Sequence, residues 1–151
     1  MSVYHIHVDG SNSHPKGAGP AACGIVVLRK DGDKPGEVAT RRKCFPSGTN
    51  NEMELNAILL GVEWANQYSG MHDEIVIISD SQWAAYTSAK ALNLDYLTQY
   101  NTDKYPGLFQ RIQILWEDDR MSLQWVPREK NHIADREAGE ALKEAKDLFQ
   151  T

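Results

Sequence analysis

The apolar residues of this chain change their period near Asn51, and that change limits what it can fold into. Ahead of it, residues 21–28 form an almost continuous apolar run, the pattern of a central strand covered on both faces. Beyond it, Met53, Leu55, Ile58, Leu59, Val62 and Trp64 recur at spacings that give a helix one apolar face. Residues 3–8 alternate and are rich in β-branched and aromatic side chains, so they read as a first strand ending at the turn formers Asp9-Gly10-Ser11. Asp31-Gly32 is a turn signal, and residues 38–45 follow as a third strand, which completes an antiparallel meander.

The helix after the meander starts where Asn50 or Asn51 can cap it. Residues 75–78 are a short β-branched run between Gly70 and Ser79-Asp80-Ser81, a buried strand. Strand, helix and strand in that order favour a right-handed crossover, so this strand is expected parallel to one of the meander. Residues 81–92 and 108–116 are further helical stretches, with a polar, irregular segment between them. Residues 123–126 form a last strand stopped by Pro127, and residues 132–148 form a helix with Ala134, Ala138, Ala141, Leu142 and Ala145 on one side. The sum is an α/β fold, a mixed sheet flanked by helices, and residues 1–151 are expected to form a single domain.

Hydrophobic residues make up 41% of the chain and charged residues 25%, a globular balance and not that of a disordered chain. No stretch approaches the roughly 18 apolar residues of a membrane span, and the start MSVYHIHVDG lacks the pattern of a secretory leader, so a cytoplasmic protein without a membrane partner is expected. Cys23 and Cys44 lie in apolar runs with no partner at metal-ligand spacing and read as buried thiols. The net charge of −5 argues against broad attraction to nucleic acid, although clustered carboxylates add negative charge of their own and a local basic strip can coexist with an acidic sum.

Four acids stand where elements begin or end: Asp9 after the first strand, Glu54 early in the first helix, Asp80 after the fourth strand and Asp135 early in the last helix. Sites of open α/β sheets gather beyond the carboxyl ends of strands, so Asp9 and Asp80 are expected side by side if their strands are parallel neighbours. Several hard oxygen donors are what a pair of magnesium ions about 3.5–4 Å apart requires, one ion serving the attacking group and one the leaving oxygen. Taken singly, Asp9 and Asp80 also suit turn formation or capping, and Glu54 and Asp135 also suit the positive end of a helix dipole.

The strings around these acids resemble those of the type 1 ribonuclease H family. Asp9-Gly10-Ser11 resembles its DGS, and Thr49 to Leu55, TNNEMEL, resembles its TNNxMEL. Ser79-Asp80-Ser81-Gln82 resembles its TDSQ, and Trp125-Val126 with Asn131 and Ala134-Asp135 resembles the short-loop form of its last motif, WVxRExNxxAD. DGS alone is a weak signal, whereas TNNxMEL in order with the others is specific.

The resemblance implies a ribonuclease H-like fold, a five-stranded mixed sheet in which an antiparallel meander is followed by parallel strands. It implies hydrolysis of the RNA strand of RNA–DNA hybrids, with Asp9, Glu54, Asp80 and Asp135 as catalytic and metal-binding residues for two Mg²⁺ ions, or Mn²⁺ in their place. It implies that Asn50 and Asn51 approach the minor groove, where an amide can read the 2′-hydroxyl. Gly10, Ser11, Thr49, Gln82 and Arg128 are the remaining substrate-contact candidates, with a solvated charge as the other reading of Arg128. A monomer is expected.

Two departures stand against the family pattern. Residues 90–106, where many members carry a basic, tryptophan-containing handle, hold only Lys90 and Lys104 against Asp95 and Asp103. Residues 127–130, Pro-Arg-Glu-Lys, replace a longer loop bearing a histidine, Ser47 stands where some relatives have arginine, and His132 reads as a solvated first-turn residue. These departures keep two other readings in view: a hybrid-binding module without catalysis, and a nuclease of the same fold with another substrate. His5 and His7 share one strand face, where packing is the simpler role, and Trp64, Trp83, Trp116 and Trp125 read as core residues.

Overall fold

The computed structural model describes residues 1–94 and 103–149. The strands are β1 (Val3–Asn12), β2 (Ala21–Arg29), β3 (Gly36–Phe45), β4 (Glu74–Ser79) and β5 (Met121–Trp125). The helices are α1 (Asn50–Tyr68), α2 (Gln82–Ala91), α3 (Pro106–Leu115) and α4 (His132–Phe149), with a short 3-10 turn, Arg128–Lys130, ahead of α4. The strands form one sheet in the order β3-β2-β1-β4-β5. β1, β2 and β3 pair antiparallel, whereas β4 lies parallel to β1 and β5 parallel to β4. The five-stranded mixed sheet expected from the sequence is the one observed.

Most of the core lies between the sheet and α1. Ile6, Val8, Ile25, Val27, Leu55, Ile58, Val62, Ile75 and Ile77 are each fully buried in one cluster, and each such side chain contributes about 1.5–3 kcal/mol by leaving water. α1 is buried on more than the single face its spacing suggests, because α3 and α2 cover the side turned away from the sheet. Gly61 admits that packing: a Cβ there would sit 3.1–3.4 Å from Ile6, Val8 and Ile77. On the opposite face α4 lays Ala134, Ala138, Ala141 and Ala145 against β2 and its neighbours. Alanines suit so close an approach, and Gly24 of β2 leaves no room for a larger residue beneath Glu137 and Ala138.

Three local expectations are corrected. β1 does not end at Asp9-Gly10-Ser11; it runs on to Asn12, because Gly10, Ser11 and Asn12 still pair with Cys23, Ala22 and Ala21 of β2. The cap of α1 is Thr49, neither Asn50 nor Asn51: its hydroxyl accepts the Glu52 N–H while the Glu52 carboxylate accepts the Thr49 N–H, a reciprocal capping box. Cys44 is half-buried, its thiol facing the Ala141 carbonyl at 3.5 Å, and only Cys23 is fully enclosed. Much of the segment that departs from the family's basic handle, residues 95–102, lies outside the described residues. Among the described residues no helix is long and apolar enough to cross a membrane.

Candidate metal centre

The register of β1 and β4 builds the site. Val8 is paired with Ser79, the last residue of β4, so the next residue on each chain, Asp9 and Asp80, stand side by side where the parallel pairing stops. The Trp125 indole N–H donates to the Asp80 backbone carbonyl at 3.1 Å and holds the chain as it leaves the sheet. Ser81 then caps α2, its hydroxyl accepting the Ala84 N–H at 3.1 Å.

Glu54 reaches the same place from α1. Gly10 has no side chain to keep α1 away: a Cβ on it would meet the Met53 carbonyl carbon at 2.4 Å and the Glu54 nitrogen at 2.6 Å. The Gly10 N–H in turn donates to the Glu54 carboxyl. Asp9, Glu54 and Asp80 each offer a carboxylate oxygen within 4.8 Å of the others. Asp9 and Glu54 are only 4% exposed, a degree of burial that acidic side chains rarely reach without partners.

Burial is the main force on all three acids. It pushes the Asp9 carboxyl up to about 7, with the Asp80 and Asp135 charges adding to the rise and a hydrogen bond from Glu54 opposing it. Burial, and then Asp9, hold Glu54 well above the ordinary carboxylate range. Asp80 is raised by burial too, but the Asn131 amide and the Arg128 guanidinium draw it back. Three carboxylates held this closely, two of them buried, cannot all carry charge cheaply without a cation.

The residues fit a hard divalent cation. One Glu54 oxygen, Oε2, is buried with no hydrogen-bond partner, which marks an unanswered acceptor. The donors are carboxylate oxygens only, which suit Mg²⁺ or Mn²⁺ and not a thiolate- or imidazole-seeking ion. Their oxygens, within 4.8 Å of one another, stand a little wider than the roughly 4.2 Å that opposite ligands of a magnesium ion span, so a bound ion would draw them together.

Asp135 lies at the margin of this trio, close enough to Asp9 to raise that carboxyl. It lines the same open cleft, of about 290 Å³, but its side chain is 45% exposed and pairs with Arg128 at 3.3 Å. The charges of Asp135, Asp80 and Asp9 all raise Arg128 above its usual basicity. Gly10, Ser11 and Asn50 line the cleft with the acids, whereas Thr49, Asn51 and Gln82 do not. Thr49 is engaged elsewhere, its hydroxyl bonded to that of Tyr105 at 2.5 Å.

Sequence reasoning missed what Trp125 and His7 do. Trp125 is half-buried and tied to Asp80, and the His7 ring is bonded to the Asn131 side chain at 2.8 Å. Trp83 packs edge-on to Tyr105 and beside Phe109, in keeping with a core role.

The sequence model of the RNase H family matches residues 1–143. A curated relative, ribonuclease HI of Halobacterium salinarum, is 31% identical over 142 residues, which is 93% of this chain and 65% of the relative. The chain thus spans less than two thirds of that protein's length. RNase H1 from the same archaeon has a solved structure, with a TM-score of 0.69 at 27% identity over 95% of this chain and 99% of that one. The N-terminal RNase H domain of rv2228c from Mycobacterium tuberculosis, solved as a fusion with maltose binding protein, reaches 0.76 at 22% identity over 98% and 99%. LC11-RNase H1, solved in complex with an RNA/DNA hybrid, reaches 0.75 at 20% identity over 94% and 98%. With the family's motif strings carried to a single cleft by a sheet of this order, and a match over nearly the whole length, the chain belongs to the RNase H family.

Proposed function

We propose that this chain is an endoribonuclease that hydrolyses the RNA strand of RNA–DNA hybrids, leaving 3′-hydroxyl and 5′-phosphate ends. The observation that carries the reading is the convergence of Asp9, Glu54 and Asp80 within 4.8 Å at the end of β1 and β4. In this reading those three acids and Asp135 hold two divalent ions, Mg²⁺ or Mn²⁺. When bound, the ions would supply positive charge against the scissile phosphate and the leaving oxygen. The chain's own part is to fix the donors beforehand: Gly10 brings Glu54 to Asp9, and Trp125 anchors Asp80.

Asn50 lines the cleft and is exposed, so its amide is free to meet the minor groove of the hybrid. Gly10 and Ser11 border the same opening. Asn51, Gln82 and the backbone of Thr49 flank it and complete the proposed contact surface, and Arg128, 80% exposed at the rim, offers its guanidinium to a backbone phosphate. The hybrid bound by LC11-RNase H1, a relative of the same fold, supports this substrate. We place the activity in the cytoplasm and in a monomer.

Digestion of matched RNA–DNA, RNA–RNA and DNA–DNA duplexes by the purified protein tests the proposal, with EDTA, Mg²⁺ or Mn²⁺ present. Cutting confined to the RNA of the hybrid and dependent on metal is the expected result. Equal cutting of DNA duplex would favour a nuclease with another substrate, and hybrid binding without cutting under either metal would favour a binding module.

A further inference from the structure

Asn131 is fully enclosed beside the cleft, at 0% exposure; its backbone N–H closes the turn onto the Arg128 carbonyl at 3.0 Å, and three further hydrogen bonds tie it to its surroundings. Its side-chain N–H₂ donates to the Val8 carbonyl at 2.9 Å. That leaves its oxygen facing His7 Nδ1 at 2.8 Å, so His7 carries its proton on Nδ1 and donates. The Asn131 backbone carbonyl accepts the Asp135 N–H at 3.1 Å, the first helical bond of α4. One buried residue therefore ties the strand that bears Asp9 to the turn that bears Asp135. His7 and Asp9, two residues apart, lie on the same face of β1, the face that α4 covers.

We propose that His7 is a positioning residue of this site: by fixing the Asn131 amide it sets the first turn of α4, and Asp135 with it, against Asp9. The inference rests on the hydrolytic reading above. Removing the imidazole donor would leave the Asn131 oxygen buried and unanswered, and burial makes that state costly. The rotated amide offers no escape, because its oxygen would then face the Val8 carbonyl. The other restraint on the Asp135 side chain is its ion pair with Arg128, whose side chain is 80% exposed. Pairs so exposed hold little, which leaves Asn131 and the packing of Ala134 against the sheet to place Asp135. The Asn131 amide also faces Asp80, which extends the same control to a second acid.

The test compares wild type with His7→Phe, which keeps a ring but no donor, and His7→Asn, whose amide nitrogen can stand where Nδ1 stands. Three quantities are read: the Mg²⁺ concentration for half-maximal hybrid cleavage, kcat against KM for the hybrid, and amide hydrogen exchange at residues 132–135 in metal-free protein. For His7→Phe the Mg²⁺ requirement rises about tenfold, the usual scale for loss of a group supporting a metal ligand. Its kcat falls, KM for the hybrid holds, the Asp135 amide exchanges faster, and the melting temperature drops by only about 2–4 °C. His7→Asn recovers the Mg²⁺ requirement and the exchange protection. Wild-type exchange and Mg²⁺ requirement in His7→Phe beside an active wild type would overturn this inference alone, as would equal losses in both variants. A wild type that cuts no hybrid under Mg²⁺ or Mn²⁺ would overturn the hydrolytic reading with it.

Discussion

Gly10 and Met53 lie so close that a single added carbon at residue 10 would stand 2.4 Å from the Met53 carbonyl carbon. Backbone cannot yield as a side-chain tip can, so α1 must move if residue 10 gains a Cβ. Gly10→Ala is expected to cost about 1–3 kcal/mol by overpacking and to draw Glu54 away from Asp9. Urea denaturation checks the first effect, and a weaker Mg²⁺ response of the melting temperature checks the second. Unchanged stability would show that the helix can shift freely.

The acids also give a pH dependence to metal-free protein. Burial raises Asp9 to about 7, so between about pH 4 and 7 the folded chain holds a proton that the unfolded chain has released. Folded stability from this group is therefore fullest on the acid side and is lost as pH climbs through 7. The lowered His5 and His7, desolvated by burial, tilt the other way, so the informative quantity is the difference between wild type and Asp9→Asn. In EDTA the variant is expected to gain on the order of 3 kcal/mol over wild type between pH 4.5 and 8. Urea denaturation at each pH checks it, and saturating Mg²⁺ should narrow the gap.

Hybrid binding is expected to be weak and salt-sensitive. The chain carries a net charge of −5, so its affinity depends on a few local phosphate contacts that salt displaces. Fluorescence anisotropy between 50 and 200 mM salt, in Ca²⁺ to withhold turnover, reads the slope. A flat slope would contradict the expectation.

The two thiols should differ in reactivity. Burial pushes the Cys23 thiol up to about 12 and encloses it fully, whereas Cys44 is only half-buried. A disulfide reagent is expected to label Cys44 first in native protein and Cys23 only on unfolding. Prompt labelling of both would contradict this packing.

The parts legible in the sequence are those written in local pattern. The apolar run of β2, the change of period at α1 and the order of the acids each come from neighbouring residues. The continuation of β1 through Asn12 was not legible, because Gly10, Ser11 and Asn12 look like turn formers and are held in the ladder by β2 alone once β4 has ended. The Thr49 cap was legible in principle, since Thr49 and Glu52 carry the capping-box spacing. Nothing local could show that His7 meets Asn131, 124 residues away. Nor could spacing show that Asp135, in motif order with the other acids, stands outside their closest grouping and pairs with Arg128.

The central claim is that Asp9, Glu54 and Asp80 form a cation site that drives hydrolysis, and single-turnover cleavage of an RNA–DNA hybrid by wild type and Asp9→Asn in Mg²⁺ tests it most directly, with circular dichroism to confirm folding. The account predicts metal-dependent cutting by wild type and a folded Asp9→Asn slower by at least about a thousandfold, the loss of one charged ligand from a metal-assisted reaction. Wild-type cleavage by the folded variant would contradict it.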